Sequence, residues 1–167
     1  MKRLFSLVLA MLLCVPLYAC KPADNNIRNP VSFYYRTREI TYNNATGVMK
    51  AEPRESFGHE EDYTYLVEQY LGGPISSECI SPFPAGTSLE QLDFLKDKVL
   101  ITLSSHISLL SGSELTIACT CLAKTLLEMT DMKEIRISSK DDLLDGKEYI
   151  VIAADDIVLT DSYPNLP

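Results

Sequence analysis

The chain has 167 residues, no tryptophan, and 23 acidic against 15 basic side chains, a formal net charge of −8. That balance repels phosphate backbones and anionic headgroups, so neither nucleic acid nor a charge-held membrane surface is an expected partner. Five cysteines are too sparse for a disulfide-built scaffold.

Lys2 and Arg3 give a short positive start, and Leu4 to Val15 is apolar apart from Ser6. About 12 residues is too short for a membrane-spanning helix, which needs roughly 20, but suits the apolar region of a secretory signal. The tetrapeptide Leu17-Tyr18-Ala19-Cys20 resembles the lipobox of bacterial lipoproteins, with an aliphatic residue three before the cysteine and a small one just before it. The resemblance implies lipidation at Cys20: its thiol takes a diacylglyceryl group and the chain is cut before it. Two acyl chains meet the requirement for stable anchoring, each buried CH₂ contributing about 0.8 kcal/mol. The expected location is the extracytoplasmic face of a bacterial cell membrane, with the bilayer as the first partner. Ordinary secretion after cleavage at Ala19, or an uncleaved anchor, are the alternatives. Loss of residues 1–19 removes Lys2 and Arg3, leaving 148 residues with a balance of −10.

Residues 20–30 are read as the lipidated cysteine and a polar tether; as a flexible coil, about 10 residues reach roughly 18 Å. Val31-Ser32-Phe33-Tyr34-Tyr35-Arg36 alternates with Val31, Phe33 and Tyr35 on one face, as a strand does. Glu39–Tyr42 and Val48–Glu55 are expected as arms of a hairpin about Asn43–Gly47. The sequon-like Asn44-Ala45-Thr46 is taken as turn chemistry. A helix follows, with Glu60, Glu61 and Asp62 at its positive end. Its apolar stripe is Tyr63, Leu66, Val67, Tyr70 and Leu71. Gly72-Gly73-Pro74 ends it.

Pro82–Gly86 reads as a rigid turn, and Leu89–Leu95 and Lys98–Ser104 as two strands joined by Lys96-Asp97. Ser111-Gly112-Ser113-Glu114 has capping-box spacing at the start of a second helix. Leu115, Ala118, Cys119, Leu122, Leu126 and Met129 make its stripe, and Ile117, Cys121 and Leu127 widen it. That width predicts a central helix buried on more than one side. Glu134–Ser138 is a further strand, and Glu148–Ala153 with Ile157–Thr160 forms a last hairpin about Ala154-Asp155-Asp156. The expected fold class is α/β in the broad sense, α+β in detail: a compact mixed sheet with two packed helices.

The candidate chemistry is thin. Mature Cys79, Cys119 and Cys121 allow one disulfide and a free thiol, or three buried thiols. Cys119 and Cys121 point about 200° apart on a helix and cannot share an ion. His59 lies in a polar, acidic approach to a helix and His106 just past a strand end, and Asp141-Asp142 and Asp155-Asp156 sit in turn-like stretches. No phosphate loop, G-x-S-x-G elbow or H-E-x-x-H occurs. No catalytic residue, cofactor-binding residue or metal ligand is assigned, and an enzyme is not expected.

A set of short motifs recurs in order: Leu71-Gly72-Gly73-Pro74, Pro84-Ala85-Gly86-Thr87, Lys98 to Ser105, Thr125-Leu126-Leu127-Glu128, and Ile135-Arg136-Ile137. In order and spacing these resemble the GerMN domain of sporulation and spore germination proteins. Asp97-Lys98 stands where that family usually has a glycine turn, and His106, Cys119 and Cys121 are not family features. The resemblance implies a compact domain similar to ring-building modules, with no catalytic residues to carry over. The expected domain organisation is a signal peptide at 1–19, tether at 20–30, GerMN-like domain at 31–142 and a C-terminal hairpin and tail at 143–167. The expected function is a non-enzymatic, membrane-anchored envelope lipoprotein acting through an envelope protein partner or self-association, in a sporulation- or germination-related assembly. A ligand- or peptidoglycan-binding lipoprotein and a Cys-dependent enzyme are the alternatives.

Overall fold

A computed structural model describes residues 27–38 and 47–157. Cys20, the expected hairpin arm Glu39–Tyr42, Asn44-Ala45-Thr46, and Val158 to Thr160 of the last expected arm lie outside them.

Strand β1 (Pro30–Thr37) pairs antiparallel with β2 (Met49–Glu55), from Pro30 opposite Glu55 to Arg36 opposite Met49. The second hairpin arm therefore finds its partner in β1. Helix α1 (Tyr63–Leu71) starts where its carboxylates predicted: Asp62 Oδ1 accepts the Tyr65 N–H at 3.0 Å. It ends at the glycine pair, with Gly73 in the left-handed region at φ +92°. A two-residue strand, β3 (Cys79–Ile80), adds to the other edge of β1 at Arg36 and Thr37.

A second sheet has the order β4-β5-β6-β7. β4 (Leu89–Leu95) and β5 (Lys98–Leu103) form the expected hairpin, with Lys96 at φ +53° supplying the turn conformation usually given to glycine. α2 (Gly112–Met129) then carries the chain to β6 (Glu134–Ser139), which lies parallel to β5. β7 (Ile150–Ala153) pairs antiparallel with β6, and a single 3₁₀ turn, Ala154–Asp156, follows it.

The fold class is α+β as expected, but the strands divide into two sheets where the sequence suggested one. The division falls after β3, where Pro82 and Pro84 lack the N–H groups a continuing ladder needs. Helix side chains then take the backbone groups of β1 that β3 leaves behind. The Tyr34 N–H donates to Thr125 Oγ1 of α2 at 2.9 Å, and its carbonyl accepts from the Tyr70 hydroxyl of α1 at 2.9 Å. Tyr35 returns the contact, its hydroxyl donating to the Tyr70 carbonyl at 2.9 Å, with the two rings stacked at 4.8 Å.

One core joins both sheets. Val99, Ile101, Leu103, Ile135, Ile137 and Ile152 point inward from the second sheet, together with Leu115, Cys119, Leu122 and Leu126 of α2, and Phe33, Tyr35, Leu66 and Tyr70. The unusual width of the α2 stripe is explained by a second cluster behind it, where Cys121 packs with Tyr34 and Met49. Ser111 makes no side-chain cap bond, so the predicted capping box is not formed. Asp145, from a turn 33 residues on, accepts the Gly112 N–H at 2.9 Å instead.

Thr125 is fully buried. The nearly isosteric Thr125→Val removes the hydroxyl that bonds the Tyr34 N–H and the Cys121 carbonyl and is expected to lower unfolding free energy by about 1–3 kcal/mol. Urea denaturation checks this; an unchanged midpoint would mean that the helix-to-strand bond is dispensable.

Candidate functional site

Cys79, Cys119 and Cys121 are free and buried, which selects the three-thiol reading over a disulfide. Cys119 belongs to the main core and Cys121 to the cluster behind it, on different sides of α2. Loss of hydration in the core pushes both thiols up to about 12, with Asp145 adding to the effect at Cys119. Burial raises Cys79 as well. A thiol in that condition is a poor nucleophile at neutral pH.

The histidines are exposed and engaged elsewhere. His59 stacks on Tyr65 at 4.1 Å, with Nδ1 3.6 Å from Asp62. His106 lies against Gly86, so close that a Cβ there would sit 3.2 Å from Nε2; together with φ +88°, that contact holds the position to glycine. Asp142 accepts from the Ser108 hydroxyl, 34 residues away in the chain, and Asp156 from the Ala153 N–H beside it, so each is already engaged in holding a turn. Among the described residues no three His, Cys, Asp or Glu side chains converge to hold a metal ion.

What the sequence did not reveal is a buried ion pair beside α1. Glu52 Oε1 and Arg54 Nη2 are 2.6 Å apart, with side chains 9% and 13% exposed. The Glu52 carboxylate also accepts the N–H groups of Ile75 at 3.1 Å and Ser76 at 2.8 Å. Arg54 donates to the Gly73 carbonyl at 2.6 Å and lies 5.3 Å from the Phe33 ring centre. β2 is thereby fastened to the segment that leaves α1. Burial pushes the Glu52 carboxyl up, but the two backbone N–H groups and Arg54 outweigh it and hold it below the usual range. The strand period held a signal for this: Glu52 opposes Phe33 and Arg54 opposes Val31, so both share their inward face.

Two clefts open on the described surface, one of them lined by Arg54. One, of about 390 Å³, lies between Asn29–Ser32, Glu60 and the Glu128-Met129 end of α2. Its carboxylates are already engaged, Glu60 by Ser56 and Asn29, Glu128 by Tyr34 and Lys124. The other, of about 280 Å³, is mostly apolar and runs past Ile27, Phe33, Pro53, Arg54, Tyr65 and Leu66. Phe57 and Ile75, 73% and 81% exposed, stand at its rim. A third apolar surface is the outer face of the second sheet, where Leu95, Tyr149 and Val151 are exposed and the Arg136 guanidinium lies 5.1 Å from the Tyr149 ring centre.

These features define a class: a small α+β domain with accessible apolar surface and, among the described residues, no assembled catalytic or metal-binding constellation. The chain belongs to the Germane family, described as sporulation and spore germination, whose model matches residues 32–148. No curated protein matches it. Among solved structures it is similar to the first GerMN domain of the sporulation protein GerM from Bacillus subtilis, with a TM-score of 0.56 and 16% identity over 75% of this chain and 99% of that one. It is also similar to the tandem GerMN domains of the same protein, with a TM-score of 0.53 and 17% identity over 72% of this chain and 43% of that one. The chain thus spans less than half of the tandem structure. At such identities the likeness is one of fold, and the GerMN resemblance read from the motifs is borne out.

Proposed function

We propose that this protein is a lipid-anchored envelope lipoprotein whose GerMN domain works by protein–protein contact in a sporulation- or germination-related assembly, without catalysis of its own. The observation that carries the reading is the Germane match across residues 32–148, joined to the lipobox-like Leu17-Tyr18-Ala19-Cys20. In this organisation residues 1–19 are removed, Cys20 holds the lipid, and the domain is presented at the extracytoplasmic face of the cell membrane. The engaged carboxylates and buried thiols favour contact over chemistry. Among the described residues no helix is long and apolar enough to cross a membrane, so on this reading the hold comes from the lipid.

Cys20→Ala tests the reading directly. The wild-type chain is expected in the membrane fraction, and the variant in the soluble extracytoplasmic fraction with its fold intact by circular dichroism. Crosslinking of the wild-type chain in intact cells is expected to trap a protein partner or a second copy. Retention of the variant in the membrane would overturn the anchor, and a monomer free of crosslinks in every growth state would overturn the assembly role.

A further inference from the structure

We infer that the apolar rim formed by Ile27, Phe57 and Ile75 rests on the surface of the phospholipid bilayer that carries the anchor, and orients the domain on it. The inference deepens the lipoprotein reading and rests on it.

Three observations point the same way. Ile27, 38% exposed, lines the same apolar groove as Phe57 and Ile75, which are 73% and 81% exposed, so three large side chains share one open surface. Phe57 is also held in the left-handed region, at φ +54°, ahead of Gly58 at φ +86°. For a bulky residue that conformation is a genuine outlier. The exposed ring and the strained backbone are two separate costs at one residue, and such strain persists only where the surrounding structure imposes it, often at sites that bind a ligand.

The third observation is where the chain goes. Only residues 21–26 separate Ile27 from Cys20. Seven links span at most about 25 Å even at full extension, so a lipid on Cys20 holds this end of the domain near the headgroups. The side chain of Asn29 is tied to Glu60 Oε1 at 2.6 Å, which fixes the point of departure against the domain. Pro30 lines the same cleft as Met129, at the C-terminal end of α2. Leu109, just before the N-terminal end of that 18-residue helix, is therefore about 27 Å away along its axis. Ile27, where the described chain begins, and the groove it lines lie towards one end of α2, and Leu109 at the other.

The occupant that fits is the interfacial region of a bilayer, apolar enough for Phe57 and Ile75 and already brought within reach. Shallow insertion of two or three side chains would fix the attitude of the domain on the membrane, leaving the Leu109 end and the outer face of the second sheet free for protein contact.

The absence of tryptophan provides the probe. F57W, I75W and L109W each place one indole at an exposed position in the lipidated full-length mature chain. Each variant is reconstituted in phosphatidylcholine–phosphatidylglycerol vesicles, with and without brominated acyl chains. Mass spectrometry and flotation first establish that the chain carries diacylglyceryl and stays with the vesicles. F57W and I75W are expected to show blue-shifted emission, quenched several-fold more strongly by brominated lipid than L109W. Quenching no greater than that of L109W, on a lipidated and floating chain, would overturn the membrane-facing rim while leaving the anchor intact. A blue shift without bromolipid quenching that grows with protein density would assign the rim to a second copy instead. A chain without lipid on Cys20 would overturn the anchor, and the inference with it.

Discussion

Replacing Glu52 with alanine is expected to lower the unfolding free energy by about 3–5 kcal/mol, the usual cost of breaking a buried ion pair from one side. Glu52 is 8% exposed, and its carboxylate binds the Arg54 guanidinium and the N–H groups of Ile75 and Ser76. Alanine leaves the Arg54 charge beside Phe33 and Tyr35 without its counter-ion, and two backbone donors without an acceptor. The double variant E52Q/R54M removes both charges and should recover part of the loss. Urea denaturation of both variants checks this, and an E52A midpoint matching wild type would show the clamp to be idle. Acid provides a second readout. The Glu52 carboxyl is held below its ordinary 4.5 in the folded protein, so its contribution is present above that value and disappears as pH falls through the folded value. Below pH 4.5 the wild type is therefore expected to lose stability more steeply than E52Q.

The clamp also shows which parts of this fold could be read from the sequence. Helix α1 was legible to the residue, because its carboxylate cap, apolar stripe and closing glycines are local signals that no distant contact contradicts. The β4–β5 hairpin was legible for the same reason. The breadth of the α2 stripe announced a helix buried on several sides, and Cys121 with Tyr34 and Met49 supplies the second side. Non-local choices were hidden. Nothing in Ser111–Glu114 indicates that Asp145 will cap α2 in place of the local box. Nothing in Cys79-Ile80 marks a strand, since two residues carry no period. The two-sheet division depends on Thr125 and Tyr70 reaching one residue of β1, Tyr34, across separations of 91 and 36 residues. The apolar rim was invisible for a related reason: Phe57 and Ile75 are single apolar residues in polar stretches, and only tertiary placement brings them to one groove with Ile27.

The buried thiols of α2 should govern alkaline stability. Cys119 and Cys121 titrate near their ordinary 9.0 when unfolded and near 12 in the core. The neutral form fits the fold, so the contribution is complete below pH 9 and is lost as pH rises towards 12. Each thiol removes about 1.4 kcal/mol per pH unit across that window. At pH 10.5 the pair accounts for about 4 kcal/mol, a large share of the 5–15 kcal/mol typical of a domain. Tyr35 and Tyr70, raised by burial from 10.0, add their own loss above pH 10; Cys121 and Cys119 contribute to the rise at Tyr70, and that part goes with them in the double variant. The double variant C119A/C121A is thus expected to start less stable at pH 8, through lost packing, and to lose about 4 kcal/mol less than wild type between pH 8 and pH 10.5. Denaturant unfolding at the two pH values measures the difference. Equal losses in the two proteins would mean that these thiols are hydrated in the folded state, and would return them to consideration as reactive groups.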